Sequence, residues 1–214
     1  MNNLTELVFI IDASGSMSGL VDDTVGGFNT MIARQKEQDG ECLVSLVTFN
    51  HTQSVILDRA RLSEVKPLTR DDYTPMGSTA LCDALGGAIH HMGNVHKYAR
   101  EEDRPSKTVF IVTTDGMENS SRRYCSDDVK AMVRRQQEKY GWEFLFLGAN
   151  MDAVETAARY GIRADRAARY NCDSEGIGKN YESLGKAVSD MRGKGSIDDA
   201  WSVEIKLDYE TRKK

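Results

Sequence analysis

Asp12, Ser14 and Ser16 fall at alternate positions in the stretch DASGS, with Gly15 between the two hydroxyls. Three oxygen side chains at that spacing, with no histidine or thiolate among them, suit a hard divalent cation such as Mg2+, Mn2+ or Ca2+. The same residues would also serve as caps for a following helix, and spacing alone leaves both readings open. A second carboxylate, Asp115, follows the run TVFIVTT at 108–114, so two separate apolar runs each deliver an acid at their C-terminal end.

The elements that must position these groups are legible from apolar periodicity. Residues 7–11, LVFII, are too short for a useful helix and rich in β-branched and aromatic types, which predicts a fully buried strand. Val21, Val25, Phe28 and Ile32 mark a helix to about residue 38, in which Gly26 and Gly27 predict close packing on the sheet. Strands follow at 42–49 and 54–57, and the short link between them makes these two antiparallel neighbours. From 58 to 77 the pattern is lost, which predicts a long surface excursion. Helical spacing returns at Leu81, Leu85, Ala88, Met92 and Val95, then strand 108–112, a helix through Val129 and Val133, strand 144–147, a short helix at 154–160, a weak strand at 169–171 and a helix from Ile177 to Met191.

Strands alternating with helices predict an α/β, Rossmann-like, doubly wound sheet, mostly parallel with one antiparallel edge strand and helices on both faces. With strands two and three on one side of the first, the strand at 108–112 pairs with its free edge. The strand order then reverses between them, and at such a switch point, outside the carboxyl ends of the strands, ligands bind. Asp12 and Asp115 would meet there.

Bulk composition narrows the function classes. The 214 residues, 40% hydrophobic and 29% charged, fit one ordinary soluble domain. A net charge of -5 argues against a nucleic-acid partner, although a local basic patch survives such a balance. No signal-peptide pattern and no apolar window near ~20 residues is present, so no membrane association and a cytoplasmic location are expected. Cys42, Cys82, Cys125 and Cys172 are unevenly spaced without a CxxC pair, which predicts idle or buried thiols.

With these elements in place, residues 5–192 resemble a von Willebrand factor A (vWA) domain carrying a metal-ion-dependent adhesion site (MIDAS). The motif elements are Asp12-Ala13-Ser14-Gly15-Ser16 after the first strand, Thr79 in GSTAL at the head of a helix, and Asp115 in TTDG. The resemblance implies that Ser14, Ser16 and Thr79 ligate a divalent ion, Mg2+ foremost with Mn2+ or Ca2+ as alternatives. Asp12 and Asp115 would bind directly or hold coordinated waters, and Ser78 is an ambiguous neighbour of Thr79. It implies a metal-dependent protein-protein interaction module rather than an enzyme, completed by an Asp or Glu of a partner protein docking over the loops around Ser16, Met17, Gly77 and Glu118. The vWA domain is expected over 1–194.

Rival readings attach to particular residues. A metal-dependent phosphohydrolase would share the strand-Asp-loop opening but needs a second acid where Ser14 stands. His90, His91 and His96 have no i,i+4 pair and read as surface or partly buried residues rather than ligands. Glu118 reads as an exposed acid at a helix start. In the extension 195–214, Trp201, Val203, Ile205, Leu207 and Tyr209 alternate with polar residues, which predicts a strand on a free edge or one that mediates self-association through 201–209 of a structural subunit.

Overall fold

The computed structural model describes residues 3–212, so the outermost residues of the predicted units, 1–2 and 213–214, lie outside the described residues. β1 (Thr5–Asp12) is buried at all eight positions and runs parallel to β2 (Cys42–Phe49) on one side and β4 (Lys107–Thr114) on the other. β3 (Gln53–Arg61) pairs antiparallel with β2 at one edge, while β5 (Glu143–Gly148) and β6 (Ala167–Arg169) extend the parallel part at the other. The order β3-β2-β1-β4-β5-β6 is the mostly parallel, doubly wound sheet that the periodicity predicts. Its reversal falls between β1 and β4.

Side-chain alternation along β1 divides the core in two. Leu7, Phe9 and Ile11 face α1 (Val21–Lys36) and α5 (Ser174–Lys194), and the Phe9 and Phe28 rings meet edge to face at 5.3 Å, worth about 1 kcal/mol beyond their burial. Val8 and Ile10 face α2 (Leu81–Tyr98), α3 (Ser126–Tyr140) and α4 (Ala153–Arg159). Both faces of a parallel sheet are thereby covered, which its unbroken apolar runs require. The close approach predicted at Gly26-Gly27 is made to a helix instead of the sheet. A Cβ on Gly27 would lie 2.2 Å from the Tyr181 ring of α5.

Glu6 shares the α2 face of β1 and is fully buried, where it pairs with His96 of α2 and with Arg59 of β3. His91 instead pairs with Asp58 at 3.0 Å, and His90 is exposed. None of the three histidines therefore approaches Asp12 or Asp115.

Two expectations are corrected. β3 continues to Arg61, and the remainder of the predicted excursion is anchored by buried Leu62, Val65 and Tyr73, so it crosses the sheet end as a fixed strap. The tail is not a strand: residues Asp199–Ser202 form a 3-10 turn capped by Asp198, and Val203–Thr211 form helix α6. Trp201, Ile205 and Asp208, at helical spacing, are buried together with Ser202, whereas Val203 and Leu207 are each 53% exposed. Packing against α5 and β6 selected this face over the alternating one, as tertiary contacts override a weak local pattern. Among the described residues no helix is long and apolar enough to cross a membrane.

Candidate metal centre

β1 stops being apolar at Asp12 and β4 at Thr113-Thr114-Asp115, and because the two strands are neighbours in parallel register, their polar ends coincide. Ser16 Oγ donates to Asp115 Oδ1 at 2.8 Å, and Ser14 Oγ lies 3.1 Å from Ser16 Oγ and 3.4 Å from Asp115 Oδ1. Asp12, Ser14 and Asp115 are buried while Ser16 faces solvent, so the cluster opens on one side only. Ser14 occupies the cap position of a 3-10 turn yet makes no side-chain capping bond. The capping alternative left open by spacing does not describe these hydroxyls.

The third segment arrives through backbone stitching. Met76 N–H donates to the Ala13 carbonyl at 2.8 Å and Gly15 N–H to the Gly77 carbonyl at 3.1 Å, which lays the loop before α2 against the DASGS turn. Gly77 takes φ +67°, a left-handed conformation that glycine adopts without strain. Thr79 is buried and clamped to Asn119, whose side chain accepts from Thr79 N–H at 2.9 Å and whose N–H donates to the Thr79 carbonyl at 3.0 Å. A Cβ on Gly116 would lie 3.1 Å from Thr79 Oγ1, so the glycine after Asp115 keeps space beside that hydroxyl. Hydrogen bonds thus link Asp12, Ser14, Ser16 and Asp115, and Thr79 lies beside Gly116, the residue after Asp115, while Ser78 is half-buried.

Several supporting residues were not singled out by sequence. Thr114 Oγ1 donates to Asp12 Oδ2 at 2.5 Å while Ser14 N–H donates to Oδ1 at 2.7 Å, so both oxygens of Asp12 are oriented. Tyr73 OH donates to the Asp12 carbonyl at 2.5 Å, Asn150 to the Asp115 carbonyl at 3.2 Å, and Cys172 Sγ lies 3.7 Å from Asp115 Oδ2. Thr114 adjoins Asp115 in the motif and was within reach of sequence reasoning; Tyr73, Asn150 and Cys172 carried no local signal. Burial pushes the Cys172 thiol up to about 12, with Asp115 adding to the rise, so it stays a neutral donor.

Burial also raises the Asp12 pKa above its ordinary 3.8; the bonds from Thr114 and Ser14 oppose this and the Asp115 charge adds to it. Neither carboxylate forms an ion pair among the described residues. Two adjacent buried acids without a cation, beside hydroxyls and no imidazole, form a donor set that fits a hard divalent ion. Among the described residues no group of three His, Cys, Asp or Glu side chains is placed to hold a metal ion by itself, and the set instead mixes carboxylates with hydroxyls.

In the loops beside the site, two side chains turn inward. Met17 is buried in the α1 side of the core. Glu118 is half-buried and accepts from the N–H groups of Cys82, Ser120 and Ser121, which fastens the β4 loop to the start of α2. Exposed Met76 and Met117, adjacent in sequence to Gly77 and Gly116, present apolar side chains instead.

The von Willebrand factor type A domain model matches residues 6–176, and the chain belongs to that family. Among solved structures, proximal thread matrix protein 1 from the mussel byssus is 16% identical with a TM-score of 0.61 over 85% of this chain and 45% of its own. A von Willebrand factor type A protein from Catenulispora acidiphila is 16% identical with a TM-score of 0.57 over 86% of this chain and 42% of its own. A form of the mussel protein described as having a zinc-occupied MIDAS motif is 17% identical with a TM-score of 0.58, covering 85% and 44%. The chain spans less than half the length of these proteins. No curated protein sequence matches it.

Proposed function

We propose that this chain is a metal-dependent protein-interaction module in which Ser14, Ser16 and Thr79 hold a divalent cation, with Asp12 and Asp115 behind or beside it. Mg2+ is the expected ion, with Mn2+ or Ca2+ as substitutes. The observation that carries the reading is the meeting of the DASGS turn with Asp115 at the ends of β1 and β4, with Thr79 stitched alongside. The zinc-occupied motif of the mussel protein supports it by analogy of fold. When bound, such an ion supplies an open coordination position suited to one carboxylate oxygen of a partner's Asp or Glu.

The chain's own residues divide the work. Thr114 and the Ser14 N–H orient Asp12, Asn119 fixes Thr79, and solvent-facing Ser16 marks the side from which a partner approaches. Met76 and Met117 offer that partner adaptable apolar contact. A binding role is favoured over hydrolysis because, among the described residues, no histidine side chain hydrogen-bonds Ser14 or Ser16 to activate a nucleophile.

The test is calorimetric titration of Mg2+ into the purified chain and into Asp12→Ala, followed by affinity capture of partners in Mg2+ and in excess chelator. Saturable binding that Asp12→Ala abolishes, and a partner lost on chelation, are expected. Equal affinity in Asp12→Ala, or capture indifferent to metal, overturns the proposal.

A further inference from the structure

The loop between β6 and α5 touches the metal centre through one side chain. Cys172 Sγ lies 3.7 Å from Asp115 Oδ2, while the other oxygen, Oδ1, faces Ser16 at 2.8 Å and Ser14 at 3.4 Å. The two oxygens of Asp115 thus look in different directions, one toward the hydroxyls and one toward the thiol. The torsion that turns a carboxylate about its Cβ–Cγ bond is soft, so contacts on one oxygen set the plane of the group loosely and contacts on both fix it.

The thiol is held there from both sides. Asn171 Nδ2 donates to the Asp208 carbonyl at 3.2 Å and to Asp208 Oδ2 at 2.9 Å, and Arg212 pairs with Asp173 at 2.7 Å. Asp208 lies in α6 and Arg212 follows it, so both belong to the tail beyond the matched residues 6–176. Asp173 also accepts from Gly176 N–H at 2.9 Å as the cap of α5. A Cβ on Gly176 would lie 1.9 Å from the Asn171 carbonyl oxygen, so the glycine lets the loop lie flush against the helix. Tyr170 is buried, and its N–H donates to the Gly148 carbonyl at 3.2 Å. A loop tied at Tyr170, Asn171 and Asp173 leaves the side chain of Cys172 little room to move.

Ion chemistry gives this contact a consequence. Mg2+ demands near-ideal octahedral geometry, which the narrow bite of a carboxylate binding through both oxygens distorts, whereas Ca2+ takes about 6–8 oxygens and binds carboxylates through one oxygen or two. An S–H donor on Oδ2 leaves Asp115 a single oxygen for the ion. On the metal-binding reading above, we infer that Cys172 is a positioning residue of the metal centre that restricts Asp115 to Oδ1 and thereby favours Mg2+ over Ca2+. The tail serves the same centre by fixing the loop that carries Cys172.

The test is calorimetric titration of Mg2+ and of Ca2+ into the full chain, Cys172→Ala, Cys172→Ser, Arg212→Ala and the double variant Cys172→Ala with Arg212→Ala. Melting temperatures in chelator confirm that each is folded. Cys172→Ala should weaken Mg2+ about tenfold, the low end of the cost of losing an orienting partner, and leave Ca2+ unchanged or tighter. Cys172→Ser keeps a hydrogen-bond donor and should restore most of the preference for Mg2+. Arg212→Ala should shift the ratio of the two affinities in the same direction and add nothing to Cys172→Ala, as residues acting through one contact do. An affinity ratio unchanged in Cys172→Ala, whether both ions weaken or neither does, overturns the inference, and so does a ratio that Cys172→Ser fails to restore. An Arg212→Ala effect that adds in full to that of Cys172→Ala overturns the role given to the tail. A parent chain that binds neither ion overturns the metal-binding reading of the whole site, an outcome separate from binding in which Cys172 does not matter.

Discussion

Ser16 and Asp115 are 99 residues apart in sequence, and Ser16 Oγ donates to Asp115 Oδ1 at 2.8 Å. This contact exists because β1 and β4 are parallel neighbours whose C-terminal ends lie level, with Ile11 opposite Thr113. The donor set is therefore a property of strand order, and its affinity for an ion should depend on residues that hold the two ends in place.

Thr114→Val removes the hydroxyl that donates to Asp12 Oδ2 at 2.5 Å while keeping the side chain's shape. Loss of such an orienting bond typically costs 10–100-fold in metal affinity, and about that reduction in Mg2+ binding by calorimetry is expected. Undiminished affinity would show that Asp12 needs no orientation from β4.

Thr79→Ala and Asn119→Ala should weaken Mg2+ binding in a graded way. The first deletes a proposed ligand; the second leaves every ligand in place and removes only the 2.9 Å bond from Thr79 N–H to the Asn119 side chain, while the 3.0 Å bond from the Asn119 backbone N–H remains. The larger loss is expected in Thr79→Ala, with melting temperatures in chelator shifted less by Thr79→Ala than its metal affinity implies. A larger effect from Asn119→Ala would transfer the ligand role to the loop after β4.

Glu6 gives the stability of the chain an acid-dependent part. Burial opposes its ionised form, but the hydrogen bonds and charges of His96 and Arg59 outweigh this and hold the pKa below the ordinary 4.5. Between those two values the unfolded chain binds more protons than the folded one. The contribution is therefore complete above about pH 4.5 and is lost as pH falls through the folded value. Glu6→Gln should cost on the order of 3 kcal/mol near neutrality, as breaking one side of a buried pair does. Denaturant unfolding followed from pH 7 to pH 3 should show a shallower decline in the variant than in the parent.

Trp201→Ala tests the tail. Trp201 is 5% exposed within the core shared with α1 and α5, and its indole Nε1 donates to the Asp165 carbonyl at 2.9 Å. Truncation should destabilise the fold by about 3–5 kcal/mol in urea unfolding. The oligomeric state by light scattering should not change, since this segment packs on α5 and β6 of its own chain.

The sequence by itself determined the elements that bury whole runs of apolar residues. LVFII and TVFIV have no alternative that hides every side chain, so their strands, and the acids that end them, were readable locally. Strand order followed from the short β2-β3 link, and with it the meeting of Asp12 and Asp115. Other features depended on what stands opposite in space. Gly27 faces Tyr181 rather than the sheet, and Glu118 turns inward to the Cys82 N–H at the start of α2. The tail carried two overlapping patterns, one alternating through Val203 and Leu207 and one helical through Trp201, Ile205 and Asp208. Only the surface offered by α5 and β6 decided between them, because a nine-residue segment has too little local preference of its own to fix its conformation.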